Sequence, residues 1–272
     1  MMEENFFPLS LTRPVPELRC GATTLAEHPE RKIKYIFELI KYLKEDLETD
    51  VASRGSRVAG QISPSAVLLG RENMLIEEGA EIEACSVLDA RSGPIYIAKN
   101  TIIKPHAYLR GPLSIGPQCR IGGEVTHSIF HGYSNKAHYG FIGHSYIGEW
   151  VNLGAGTTNS NLKNTYGTVK VDLNGKEIDT GETFMGCFIG DHAKTGIGTL
   201  ITTGAVIGVM ANVLGGGVTP KVVPSFSWGK DQRVELDKAL SAMEKAMARR
   251  GKKPDQGQVA LIKSLFSTQG AQ

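Results

Sequence analysis

Several common features are scarce in this 272-residue chain, and each shortage excludes something. Its four cysteines, Cys20, Cys85, Cys119 and Cys187, lie far apart and form no CxxC pair, which argues against a zinc ribbon or a disulfide framework. They read as thiols of a reducing compartment, so the expected location is cytoplasmic. Net charge is only +2, which leaves no basic footprint for nucleic acid or an anionic membrane. The opening Met1-Met2-Glu3-Glu4-Asn5 lacks the basic start and apolar stretch of a signal peptide. One long charge-free segment, Thr195 to Pro220, carries seven glycines, five threonines and Asn212, too many polar and flexible residues for a membrane span.

Glycine, by contrast, is abundant, with 32 residues against 12 prolines. Aliphatic residues recur at intervals of six: Ile97, Ile103, Leu109, Ile115 and Ile121 without a break. Mostly small residues follow four positions on, at Thr101, Ala107, Leu113, Cys119 and Val125. Ile189, Thr195, Ile201, Ile207 and Val213 keep a second such frame, with Ala193, Ala205, Ala211 and Gly217 as followers. A period of six fits neither a helix nor a half-buried hairpin strand. It fits a short strand plus a corner. Three of these units close a triangular coil that climbs one strand spacing per circuit.

The expected fold is therefore all-β, a left-handed parallel β-helix of about seven to eight coils over residues 59–226. This exception to the right-handed crossover rule is flanked by an N-terminal segment (1–58) and a helical tail (227–272). Pro29 to Thr49 carries the amphipathic stripe Ile33, Ile36, Phe37, Ile40, Leu43 and Leu47. Leu236, Leu240, Met243 and Met247 predict a second helix, and Gln258 to Phe266 a short third. The longest break in the period, 159–185, contains Asn174-Gly175 between β-type runs, which predicts an extruded hairpin.

A filled prism has no interior site, so chemistry belongs on its outer seams and where loops leave it. The polar stretch between the breaks includes Asn135-Lys136-Ala137-His138, Phe141-Ile142-Gly143, Ile147-Gly148, Asn152-Leu153-Gly154-Ala155-Gly156 and Asn161. Further on come Ile189-Gly190-Asp191-His192 and Val223-Pro224-Ser225-Phe226-Ser227-Trp228-Gly229. Together these runs resemble the β-helical half of bifunctional enzymes that acetylate glucosamine-1-phosphate and uridylylate the product, and a related branch of sugar nucleotidyltransferases. The resemblance covers about residues 60 to 230.

That resemblance implies an acetyl-CoA-dependent acyltransferase acting on an amino sugar or sugar phosphate, working as a homotrimer with its sites between prisms. It puts the general-base histidine at His138, where imidazole would take the proton of an attacking amine. The substrate-facing asparagines fall at Asn152 and Asn161, and a phosphate-binding arginine at Arg110. Thr126 stands where the family has a lysine, Phe141 where it has a tyrosine, and Ile197 where it has a serine near the thioester. His127 or Lys136 is a candidate replacement charge, and the implied acetyl-CoA contacts are Thr195, Ile197 and Ala205. No metal is expected. His106, His138 and His144 mark an alternative zinc-dependent reading.

Phe7 to Gly21, with Thr12-Arg13-Pro14 and Glu17-Leu18-Arg19, resembles the opening of the nucleotidyltransferase half in that branch. No GxGTR-type loop follows to cradle a nucleotide phosphate. Nucleotide transfer by this chain alone is not expected, although a separate nucleotidyltransferase is a candidate partner. The remaining alternative is a non-catalytic β-helical module that binds sugar nucleotides or serves assembly.

Overall fold

The computed structural model describes residues 3–214 and 217–269. Three parallel ladders run the length of a left-handed β-helix of about nine turns. Face one climbs from Arg57–Val58 through Met74–Ile76 and Ile95–Ile97 to Val222–Val223. Face two runs from Gln61–Ile62 to Ser227–Trp228 and is closed by the antiparallel strand Gln232–Arg233. Face three begins at Val67–Leu69 and continues through Phe141–Gly143 and Thr158–Asn159 to Gly217–Val218.

The period-six residues do what their spacing predicts. Ile97, Ile103, Leu109, Ile115 and Ile121 are fully buried, and so are their followers Thr101, Leu113, Cys119 and Val125. Two side chains of each hexad therefore fill the prism, and the apolar area they remove from water is its principal stabilisation. Where the period holds, Ile97 pairs with Ile115, its equivalent exactly three hexads on. Elsewhere the coils shorten. Ile115 pairs with Phe130, and Phe130 with Ile147, and both intervals fall short of three full hexads. These short coils, with a first strand at Arg57–Val58, account for about nine turns in place of the expected seven to eight.

The corner between faces one and two shows how the coil turns. Asn100, Gln118, Tyr133, Trp150, His192, Met210 and Phe226 all adopt the left-handed conformation there, with φ between 55° and 63°. Such residues cost about 1–3 kcal/mol each, so packing must hold them. Tyr133 stacks on Trp150 at 4.3 Å, and Trp150 lies parallel to His192 at 6.2 Å. From Trp150 to Phe226 the cost is offset by a buried ladder of rings and thioether.

The predicted hairpin is present, Lys170–Leu173 pairing with Lys176–Asp179. Asn174 and Gly175 both have positive φ, as a type I′ turn requires. The single N-terminal helix expected over Pro29 to Thr49 is two, α1 (Glu38–Lys41) and α2 (Leu43–Arg54), separated at Tyr42. In the tail, α3 spans Leu236–Ala248 and α4 spans Gln256–Thr268. Asp255 and Gln258 form a reciprocal capping box at the start of α4. No helix among the described residues is long and apolar enough to cross a membrane.

Two faces are covered. Outward residues of face one, including Leu75, Tyr96, Tyr146 and Phe188, share a core with Phe6, Leu9, Ile40 and Leu47 of the N-terminal segment and with Val171 of the hairpin. Met243, Met247 and Ile262 of the tail pack on Trp150, Met210 and Phe226 beside face two. The Thr12-Arg13 motif fastens the first of these covers. The Arg13 guanidinium pairs with Asp191 and lies 3.4 Å from Glu149. Asp191 also accepts from Thr12 Oγ1 and from the Glu149 amide, each at 2.8 Å. Face three remains open, with Tyr108, Leu200 and Val218 exposed on it and Tyr139 and Ile197 at its edge.

Candidate functional site

On face three, strand register sets the spacing of side chains. Asp89, Arg110, Thr126 and Gly143 occupy equivalent positions on successive rungs, and Tyr108, Glu124 and Phe141 form a parallel column. Rungs are ~4.8 Å apart, so Arg110 stands about one spacing from Thr126 and about two from Gly143. Arg110 is exposed and donates to Ser92 Oγ from Nε at 3.2 Å and from Nη2 at 3.1 Å. Asp89 is held instead by Arg91, whose guanidinium lowers the carboxyl pKa to about 2.

Gly143 makes room for its neighbours. A Cβ there would collide with the Phe141 ring and the Asn161 amide, so both side chains lie over this position. Asn161 Nδ2 donates to His144 Nδ1 at 2.9 Å. His144 stacks on His127 at 4.4 Å, and His127 Nε2 donates to the Ile40 carbonyl at 2.9 Å. Burial, then the neighbouring His127, pushes the His144 pKa down to about 3, and burial likewise lowers that of His127. Both rings are therefore neutral at physiological pH. They line a cleft of about 400 Å³ with Phe184, Met185 and the Lys41–Glu182 ion pair.

His138 lies at the other edge of face three, exposed, just before the strand that carries Phe141. Its side chain makes no hydrogen bond among the described residues, while its carbonyl accepts from Lys136. Asn152 is elsewhere. It faces outward on face two, in register with Asn135 and Lys194, and accepts from Asn135 Nδ2 at 3.4 Å. One prism thus places Asn152 on a different face from Phe141 and Asn161. His144 also occupies a different corner from His106 and His138, so one prism does not gather the three histidines of the zinc reading.

Three expected contact residues turn inward. Lys136 is 2% exposed and takes the place of an aliphatic residue inside the coil, next to Ile121 on the ladder. Its Nζ donates to the carbonyls of Gly122 at 2.7 Å and His138 at 2.9 Å, and burial lowers its pKa to about 8. Thr195 is also interior, its Oγ1 2.7 Å from that of Thr157, and Ala205 is fully buried. Their side chains cannot reach a ligand on the outer seam. Ile197 does face outward, at 77% exposure.

The His127–His144 stack and the hold on Asn161 are not among the sequence expectations. The available signal is spacing: the two histidines stand as far apart along the chain as the paired Phe130 and Ile147, so they fall one coil apart.

No family model matches the chain. Over 170 residues the chain is 36% identical to the bifunctional sugar-1-phosphate nucleotidylyltransferase/acetyltransferase of Sulfurisphaera tokodaii, covering 62% of this chain and 41% of that protein. It is 30% identical over 183 residues to the bifunctional protein GlmU of Synechococcus elongatus, covering 65% of this chain and 35% of that one. The chain therefore spans well under half the length of these relatives, and the similarity covers their C-terminal part. The solved N-acyltransferase AntD from Bacillus cereus, in complex with dTDP and coenzyme A, superposes loosely. It is 12% identical, with a TM-score of 0.27 over 76% of this chain and 88% of that one. By its coil the chain is a hexapeptide-repeat left-handed β-helix, and by its sequence it is similar to the C-terminal part of bifunctional sugar-1-phosphate nucleotidylyltransferase/acetyltransferases.

Proposed function

We propose that the chain is an acyltransferase that moves an acetyl group from acetyl-CoA to the amine of a phosphorylated sugar, on open face three. The observation that carries this reading is the column Arg110–Thr126–Gly143, with the Asn161 amide fixed over its end by His144. It supplies a cation at one end and an oriented amide about two rungs away, a separation suited to a sugar phosphate. The Sulfurisphaera tokodaii relative, whose name pairs sugar-1-phosphate chemistry with acetyl transfer, supports the same reading.

In this mechanism the sugar amine attacks the thioester carbonyl and His138 takes its proton. The carbonyl becomes a tetrahedral oxyanion and then re-forms as the carbon–sulfur bond breaks. The CoA sulfur leaves and receives a proton, and an amide remains on the sugar. Asn161 positions the reacting group, and His144 acts through Asn161 as a positioning residue. Ile197 lines the thioester end of the seam. Thr126 and Phe141 give the acceptor pocket a hydroxyl and an apolar ring.

Asn152 joins this site only where face two of one copy meets face three of another. A homotrimer of parallel prisms would bring those surfaces together, and the apolar exposure on face three is consistent with such contact. The test is thiol release from acetyl-CoA across a panel of amino sugars and their phosphates. Release that requires both the amine and the phosphate is the expected result. Release with no acceptor, or with none of the panel, would remove the reading.

A further inference from the structure

Between face two and the end of α3 lies a groove of about 220 Å³ lined by Asn135, Asn152, Lys194, Arg249 and Arg250. Its charge is of one sign. Burial lowers the Lys194 pKa, with no carboxylate contributing. Burial also lowers that of Arg250, followed by its neighbours Arg120 and Arg249, again with no carboxylate acting on it. The chain's ion pairs among the described residues all lie elsewhere.

The polar atoms are arranged to hold these cations in place without neutralising them. Arg250 reaches back over face two, donating from Nη2 to Asn135 Oδ1 at 2.8 Å and from Nε to the Gln118 carbonyl at 3.3 Å. Lys194 Nζ donates to the His192 carbonyl at 3.1 Å. Asn135 in turn donates to Asn152, whose own amide donates to nothing among the described residues. Cations at a helix C-terminus are favourable in themselves. That does not explain a half-buried lysine on the opposite wall, or an arginine directed away from the last carbonyls of its helix.

We infer that this groove binds a phosphate group, with Arg249, Arg250 and Lys194 as the cations and Asn152 as a neutral donor. Arginine suits the role because its fork matches phosphate oxygens two at a time. The bound phosphate belongs to a reactant of the acyl transfer, either the sugar phosphate or the phosphates of CoA. To that extent the inference rests on the function proposed above. It assigns to α3 and face two a charge that Thr126 lacks on face three.

Binding can be read without catalysis. Full-length protein would be titrated calorimetrically with inorganic phosphate, with glucosamine-1-phosphate against glucosamine, and with CoA against 3′-dephospho-CoA. The same titrations on R249A/R250A and on K194M are expected to weaken phosphate binding at least about tenfold, with circular dichroism unchanged. K44A, which removes an exposed lysine of α2 outside both sites, should bind inorganic phosphate as wild type does. Whichever phosphorylated ligand loses its advantage over its partner in R249A/R250A is the natural source. Unchanged phosphate binding in both groove variants, or no binding of any phosphate to wild type, would overturn the inference. Phosphate binding that depends on the groove, in a protein without acyl transfer, would instead sink the proposed function and leave the groove standing.

Discussion

Asn161 donates its side-chain N–H to Nδ1 of His144, and this bond exists only while that ring is neutral. Burial keeps it neutral, holding the His144 pKa at about 3, and His192 is held at about 4 by the same cause. His131 is lowered well below its usual value by burial, and its Nδ1 lies 2.9 Å from the Tyr146 hydroxyl.

Acid stability follows from these rings. In the unfolded chain each histidine titrates near ~6.5, so below that pH the unfolded state binds protons that the folded state refuses. Stability is fully present above about pH 6.5 and falls as the pH drops toward the folded values, by at most ~1.4 kcal/mol per pH unit per ring. Glu149 and Asp50, both raised chiefly by burial, act oppositely in the carboxylate range. Urea midpoints from about pH 7.5 to about pH 5.5 isolate the histidine effect. A falling midpoint is expected, and a flat one would contradict the neutral buried rings.

Lys136 is a stability residue in this structure. Lys136→Ala removes two hydrogen bonds inside the coil and leaves a cavity where an aliphatic residue normally stacks. A loss of about 2–4 kcal/mol is expected in urea unfolding. A change below about 0.5 kcal/mol, the range of surface substitutions, would place the side chain outside the prism.

Arg13 joins the N-terminal segment to the coil. Arg13→Ala would leave Asp191 and Glu149 without their cation in a buried setting. Removing one partner of a buried pair costs about 3–5 kcal/mol. Hydrogen exchange should show the loss as early opening of residues 3–54 against a protected prism. Uniform protection as in wild type would contradict it.

Thr126 is in register with Arg110 on the open face. If phosphate approaches this column, Thr126→Lys adds a second cation one rung away and should lower KM for a phosphorylated acceptor about tenfold, or ~1.4 kcal/mol. The non-phosphorylated amine should show no gain. Equal gains for both would mean that the phosphate lies elsewhere.

Much of the fold is legible in the sequence because the prism repeats its chemistry. Ile97 to Ile121 declare their inward direction by spacing alone, and Asn174-Gly175 declares its turn by backbone geometry. The same frame marks Thr195 and Ala205 as interior, since both hold hexad positions. Lys136 is illegible because the preceding coil is shortened, which hides its phase, and lysine is rarely found inside. The separation of Asn152 from Asn161 is hidden for the same reason: variable coil lengths conceal which face a polar residue occupies. The register that aligns Arg110 with Thr126 comes from a coil shortened between Ile121 and Glu124, which no local pattern announces.

The most direct measurement is a side-by-side comparison of thiol release from acetyl-CoA by wild type and His138→Ala, using the phosphorylated amino sugar that wild type turns over fastest. The His138 side chain is exposed and bonded to nothing among the described residues, so its removal should leave the unfolding midpoint unchanged. Turnover should fall at least about a hundredfold, the usual contribution of a general base. Turnover equal to wild type in a folded variant would contradict the account.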